Sequence, residues 1–325
     1  MLNQKRKRFT VNLGLVSSLF LAGCAQPGEG GQTEDGEQVI RIGHLPITHA
    51  APAYFLDHYQ DELLDGVEVE LIRFSSWIEL MDALNTGRID GASVLFELAM
   101  KTRELGIDVE AVALGHREGN PIIVDPEVES PRDLEGETVA IPHTLSAHNL
   151  LLDEMLAGAG MVYEDVNVVE MPPPEMPAAL SEGRVASYVV AEPFGALGVQ
   201  NEVGEVMYQS NEFCPDNCLC CALVLREDFM DEFPDETDEF MAGYFEASER
   251  AGDGSDESRS IHASYLPVEE EALELSLEWI SYGNLDIAEE EFDYLRRKLV
   301  EMELVDAPPP YEEMVNRQYL EGRDG

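Results

Sequence analysis

Residues 214–221 read CPDNCLCC, which places four cysteines in eight positions of a 325-residue chain whose one other cysteine is Cys24. Thiols at this density point to a metal site, a redox centre, or a bridge with small apolar packing beside it. A structural metal site draws four ligands to one point, commonly from two separated pairs, whereas Cys214, Cys218, Cys220 and Cys221 crowd one loop. If Cys220 and Cys221 open the strand CALVL, their side chains point to opposite faces. No metal is therefore expected. Cys214 and Cys218, which span a turn with Pro215, Asp216 and Asn217, are the favoured disulfide pair, leaving Cys220 and Cys221 as small buried hydrophobes.

Histidines are the other chemistry-bearing set. Five of the seven (His44, His49, His116, His143 and His148) fall where strands are predicted to end or helices to begin. Those strands are Val39–Leu45, an alternating run around Val67, Val69 and Leu71, Val109–Leu114 and Val139–Ile141. Ser76 with Glu79 three residues on forms a capping box ahead of Trp77, Met81 and Leu84, and Gly87 closes that helix. Strand and helix in alternation predict α/β layers with mainly parallel sheets. The run Ala83-Leu84-Asn85-Thr86-Gly87-Arg88-Ile89 recurs 96 residues later as Ala179-Leu180-Ser181-Glu182-Gly183-Arg184-Val185. Each copy leads into a strand, and Ile42–His49 is echoed near Ala140–His148. A period this long predicts two lobes of similar topology with a cleft between them.

Ligands of such sheets bind outside the carboxyl ends of the strands. The residues there are Thr48, His49, Ser75–Trp77, Ser93, His116, His143–Ser146, His148 and Glu192. With lysine scarce, histidines and helix N-terminal N–H groups are the expected positive elements for an anion. No Walker loop, H-E-x-x-H or Ser-His-Asp order is found, so no reaction and no cofactor are expected.

The amino terminus is a basic run (Lys5, Arg6, Lys7, Arg8), an apolar stretch Phe9–Ala22, then Cys24, which reads as a secretory signal. Leu21-Ala22-Gly23-Cys24 resembles the lipobox of bacterial lipoproteins, which implies a signal over residues 1–24, lipidation at Cys24 and an extracytoplasmic chain tethered to the membrane. Residues 25–38 bury almost nothing and read as a flexible linker. The formal net charge is −46, and the first 23 residues hold four basic side chains and no acidic one, so the remainder stands at −50 with two lysines, Lys101 and Lys298. Such acidity fits a chain adapted to high salt, where self-repulsion is screened, and excludes nucleic acid as a partner.

Several longer segments resemble the solute-binding proteins of ABC importers in the nitrate, sulfonate and taurine group, which share a fold with thiamin-pyrimidine synthases. They are IRIGHLPITHAAPAYF, SSWIELMDALNTGRIDGASVLFELA, PRDLEGETVAIPHTLSAHNLLL, MPAALSEGRVASYVVAEPFGA and the stretch from Leu277 to Leu320. The resemblance implies a type II periplasmic-binding-protein fold. Lobe 1 would hold residues 39–118 and 222–325 and lobe 2 residues 119–221, with crossings near Gly115–Val124 and Cys218–Leu225 and the C-terminal helices on lobe 1. It implies ligand contacts from Thr48, His49, Ser76, Trp77, Ser93, Thr144, Ser146 and Glu192, with His116 joining them from the strand-end argument. Trp77 serves equally as apolar wall or core, and Glu192 suits an amine donor or a helix cap better than an anion. The implied partners are a small polar or anionic solute, an ABC permease with its ATPase and the membrane through the lipid, with the chain a monomer. Two rival readings are a pyrimidine-precursor protein or metal-dependent synthase using the cysteines, and a sensory binding protein. The synthases hold pyridoxal phosphate through a lysine, and neither Lys101 nor Lys298 lies at a predicted cleft edge.

Overall fold

The computed structural model describes residues 38–213 and 219–320. The leader ending at Cys24, the linker through residue 37 and the Cys214–Cys218 pairing lie outside the described residues. The strands in chain order are Gln38–His44 (β1), Val67–Arg73 (β2), Gly91–Leu95 (β3), Val109–Leu114 (β4), Arg117–Glu118 (β5) and Ile122–Val124 (β6). There follow Thr138–Ile141 (β7), Asn167–Glu170 (β8), Ser187–Val189 (β9), Glu205–Tyr208 (β10), Cys221–Arg226 (β11) and Ile280–Ser281 (β12). Gln38 thus belongs to the first strand and not to the linker, because its N–H is held by Gly66 O and it pairs with Val67.

Two five-stranded sheets have the same plan. One runs β2-β1-β3-β11-β4 and the other β8-β7-β9-β6-β10. In each, the first three strands are parallel and the fourth is antiparallel to its neighbours. The antiparallel strand of each lobe is delivered by a crossing: β6 follows β4 out of the first lobe, and β11 follows β10 out of the second. These are two α/β lobes of the type II periplasmic-binding-protein kind. The sequence repeat maps onto this plan residue by residue. Gly87 and Gly183 both adopt left-handed backbone, with φ of 69° and 64°. In each copy the following arginine N–H reaches back to an alanine carbonyl at 2.9 Å, Arg88 to Ala83 and Arg184 to Ala179. Glycine is favoured there because a Cβ in that conformation costs about 1–2 kcal/mol.

Alternation across the second sheet builds its two faces. Ile123, Ala140 and Tyr188 pack into the large core shared with the first lobe, while Ile122, Val139, Ile141 and Val189 pack into a separate cluster with Leu151, Leu152, Met155 and Leu156. The central strand β11 is buried on both faces from Cys221 to Leu225, which explains its unbroken apolar run. The C-terminal helices do not serve lobe 1 alone. Helix Pro234–Ala251 packs on helix Ala51–Leu63 (α1) of the first lobe, but helix Glu270–Glu278 packs on Phe194–Gln200 of the second. Lys298 also reaches Asp153 at 3.2 Å and Glu154 at 2.7 Å. With only two lysines beyond the leader, one is spent bridging the C-terminal segment to lobe 2. Among the described residues no helix is long and apolar enough to cross a membrane.

Candidate functional site

The site begins where β1 ends. Leu45–Ile47 leads into a 3₁₀ turn, Thr48–Ala50, that runs directly into α1. Three contacts fix this turn. The buried Tyr54 hydroxyl lies 2.8 Å from Leu45 O and 3.0 Å from Ile47 O, and Tyr282 OH donates to Thr48 O at 3.0 Å. Thr48 donates through both its N–H and its hydroxyl to Glu192 O, each at 2.9 Å, which ties the first lobe to the second. Gly115, at the start of the first crossing, passes so close that a Cβ there would stand 2.3 Å from His49 O.

His49 is fully buried and its Nε2 lies 3.0 Å from Gly119 O. A carbonyl only accepts, so Nε2 carries the proton and Nδ1 presents its lone pair. That lone pair faces two thiols, Cys221 Sγ at 3.4 Å and Cys220 Sγ at 3.7 Å. The two sulfurs are themselves 3.9 Å apart, so Cys220 and Cys221 do not point to opposite faces. The alternation expected of them fails because β11 begins at Cys221, while Cys220 lies before it, its carbonyl taken by Phe96 N–H. Cys221, assigned by sequence to lobe 2, likewise opens a first-lobe strand. The His116 ring stacks on His49 with centroids 3.5 Å apart, and neither of its nitrogens has a partner of ordinary hydrogen-bond geometry. His49, His116, Cys220 and Cys221 together offer four donor atoms, all within 4.8 Å of one another. Two are thiols that the sequence reading left as packing.

His148, on helix Ala147–Gly158 of lobe 2, is fully buried, unpartnered and 6.3 Å from His49 centroid to centroid. Burial, with the neighbouring His49 adding to it, holds both His116 and His148 well below the usual imidazole range. At neutral pH they are uncharged, which corrects the expectation that these histidines supply positive charge. Burial pushes the Cys220 thiol well up. Glu192 is also fully buried; its Oε2 accepts from Ala196 N–H at 3.1 Å, the helix-capping role that suited it by sequence, and Oε1 has no partner of ordinary geometry. Burial raises its pKa to about 8, so the carboxyl is neutral at pH 7 and carries a donor hydrogen.

The other expected residues are dispersed. Ser76 caps helix Trp77–Asn85 by accepting from Glu79 N–H, and Trp77 is in the core. Ser93 is buried on β3 with an unpartnered hydroxyl. Thr144 gives both N–H and hydroxyl to Glu170 on the surface of lobe 2, and Ser146 donates to His143 O while accepting from Asn149 N–H. What brings the lobes together at the surface is a crevice of about 260 Å³ lined by Leu45, Pro46, Ile47, Arg73, Phe74 and Ser75 on one side and Pro173, Pro174 and Phe194 on the other. Arg73 is the last residue of β2, and its side chain makes no ion pair or hydrogen bond among the described residues. It was missed by sequence, although a cation at the carboxyl end of a strand in so acidic a chain is a readable signal.

Residues 33–266 match the model of the NMT1-like family. The chain belongs to the NMT1-like family. A ligand-binding component of an ABC-type import system from Staphylococcus aureus, crystallised with zinc bound, is 36% identical and superposes with a TM-score of 0.83, covering 89% of this chain and all of that one. The periplasmic nitrate-binding protein NrtA of Synechocystis PCC 6803 shares the fold at a TM-score of 0.73 and 18% identity, covering 83% of this chain and 82% of that one. The nitrate import ATP-binding protein NrtC of Synechocystis is 24% identical in an alignment of 270 positions that covers 76% of this NMT1-like chain and 39% of that protein. The chain thus spans about two fifths of that longer relative. The likeness is to a ligand-binding component of an ABC-type import system, and the fold is of the periplasmic-binding type.

Proposed function

We propose that the chain is the solute-binding component of an ABC importer, taking a small polar or anionic solute of the nitrate, sulfonate or taurine kind at the junction of its lobes and presenting it to a permease and its ATPase. It acts outside the cytoplasm as a monomer, held to the membrane by lipid on Cys24. The observation that carries this reading is the inter-lobe crevice with Arg73 on one wall, beside the point where Thr48 of one lobe meets Glu192 of the other. Arg73 is exposed on the wall of the crevice with no carboxylate paired to it, so its guanidinium is free to hold an anion by charge-assisted hydrogen bonds. Glu192, two residues before the crevice-lining Phe194, is compatible with this reading because its buried carboxyl is neutral at pH 7 and adds no negative charge beside an anion. Solute binding between lobes of this plan favours the closed arrangement, and closure is what a permease would read.

Thermal or urea unfolding in the presence of nitrate, bicarbonate, taurine and short alkanesulfonates tests it. A solute at about 100 times its Kd adds about 2.7 kcal/mol of stability, and Arg73→Ala removes that gain while leaving the unliganded midpoint in place. A panel in which no member raises the midpoint, or a gain that survives Arg73→Ala, contradicts the assignment.

A further inference from the structure

The four donors behind the crevice match a different chemistry. We propose that His49, His116, Cys220 and Cys221 form a binding site for a zinc-class divalent transition-metal cation, tying the two inter-lobe crossings to the first lobe. The proposal stands apart from the solute reading, since it needs neither Arg73 nor an anion.

Geometry is the first argument. A tetrahedral centre with Zn–S of about 2.3 Å and Zn–N of about 2.0–2.1 Å has S···S edges of about 3.8 Å and N···S edges of about 3.6 Å. The chain places Cys220 and Cys221 sulfurs 3.9 Å apart and His49 Nδ1 at 3.4 and 3.7 Å from them. The remaining separations, those to His116, stay within 4.8 Å, and a rotation of that ring off the His49 face closes the difference. In the metal-free chain the same distances suit S–H···N hydrogen bonds, so the sulfurs already stand near the edges that a tetrahedral centre needs.

The second argument is the unused capacity of the site. His116 is 3% exposed, and neither of its ring nitrogens makes a hydrogen bond of ordinary geometry. A buried imidazole without partners costs free energy unless something occupies its lone pair. The His49 ring is already set as a ligand, its Nε2–H held by Gly119 O so that the free nitrogen is the one facing the thiols. Outer hydrogen bonds of that kind fix the tautomer of metal-bound histidines.

Charge selects the cation. On binding, each thiol loses its proton and each histidine binds as the neutral ring, so two S–H bonds break, two metal–sulfur and two metal–nitrogen bonds form, and two protons leave to solvent. Two thiolates cancel a divalent charge, and a neutral centre is the one a fully buried site tolerates. Thiolate and imidazole donors favour zinc-like ions over magnesium or calcium, which take oxygen ligands. Placement gives the site its consequence. His49 belongs to the turn after β1, His116 to the crossing between β4 and β6, and Cys220–Cys221 to the return crossing. One ion would join both strands of the hinge.

Cobalt(II) and zinc(II) are the probes. The full chain, reduced and stripped with chelator, is titrated with Co²⁺ while absorbance and proton release are followed. The expected result is thiolate-to-cobalt charge transfer and tetrahedral visible bands that saturate at one equivalent, two protons released, and displacement by Zn²⁺. Cys220→Ser with Cys221→Ser abolishes the charge-transfer band and weakens binding about 100-fold or more, and His116→Gln weakens it about 10–100-fold. Cys214→Ser with Cys218→Ser leaves it in place. Absence of the band in the native chain, its survival in the Cys220/Cys221 double variant, or its loss in the Cys214/Cys218 variant overturns the proposal. Proton release from the native chain decides the matter even where a variant fails to fold. Solute binding measured on metal-free and metal-loaded chain separates this failure from that of the solute reading, because loss of the solute-dependent gain in Arg73→Ala is read without any metal.

Discussion

The buried carboxyl of Glu192 makes stability depend on pH in a way that one substitution isolates. Its pKa rises from an ordinary 4.5 to about 8 on folding because burial penalises the charged form. The folded state therefore holds a proton that the unfolded state has released across that interval, and stability falls as pH rises through it. Glu192→Gln keeps the shape, and its amide oxygen still accepts from Ala196 N–H, but it has no proton to lose. Relative to the parent, the variant should gain about 1.4 kcal/mol per pH unit across the interval, reaching about 3 kcal/mol by pH 7 and about 4 by pH 8, with little difference near pH 4. Glu97, fully buried and also raised to about 8 by that burial, is present in both proteins and cancels in the comparison. The assay is urea unfolding of parent and variant across the interval at fixed high salt. Parallel stability profiles would refute the reasoning, since they would mean that Glu192 ionises in the folded chain as freely as in the unfolded one.

Other consequences follow from single contacts. Gly115→Ala places a Cβ 2.3 Å from His49 O, so it should lower stability by about 1–3 kcal/mol and weaken Co²⁺ binding together, read by urea midpoint and cobalt absorbance. Thr48→Val deletes the buried hydroxyl donated to Glu192 O and should cost about 1 kcal/mol, with weaker solute binding because the bond joins the lobes. With a net charge of −46, the unfolding midpoint should climb steeply as salt rises toward about 1 M, where the Debye length is about 3 Å; a midpoint indifferent to salt would contradict the high-salt reading of the composition.

The fold was legible because duplication leaves marks that local chemistry preserves. The two glycines at left-handed φ, each following an Ala-Leu pair and preceding Arg, fixed equivalent helix ends in both lobes before any contact was known. Thr48 and Glu192 were legible as strand-end residues, though not that one would donate to the other's carbonyl across the lobes. The thiol–imidazole group was hidden for a specific reason. Alternation says where side chains point within a strand, and Cys220 lies one residue before β11, where the rule has no force. Its histidine partners stand about 100 and 170 residues away in the chain, joined only by the crossings. At Thr144 and Ser146 the sequence offers hydroxyls at a helix start but not their local bonds, to Glu170 and to His143 O, which form only once the loop has its shape. Arg73 was not singled out in the sequence because β2 reads there as an alternating run whose last residue carries no motif.

Native mass spectrometry of the full chain, purified in high salt and sprayed with and without the anion panel, tests the central claim most directly. The account predicts one small polar or anionic molecule bound per monomer, lost in Arg73→Ala. A chain that carries no such molecule and takes none from the panel, while folded and monomeric, would contradict it.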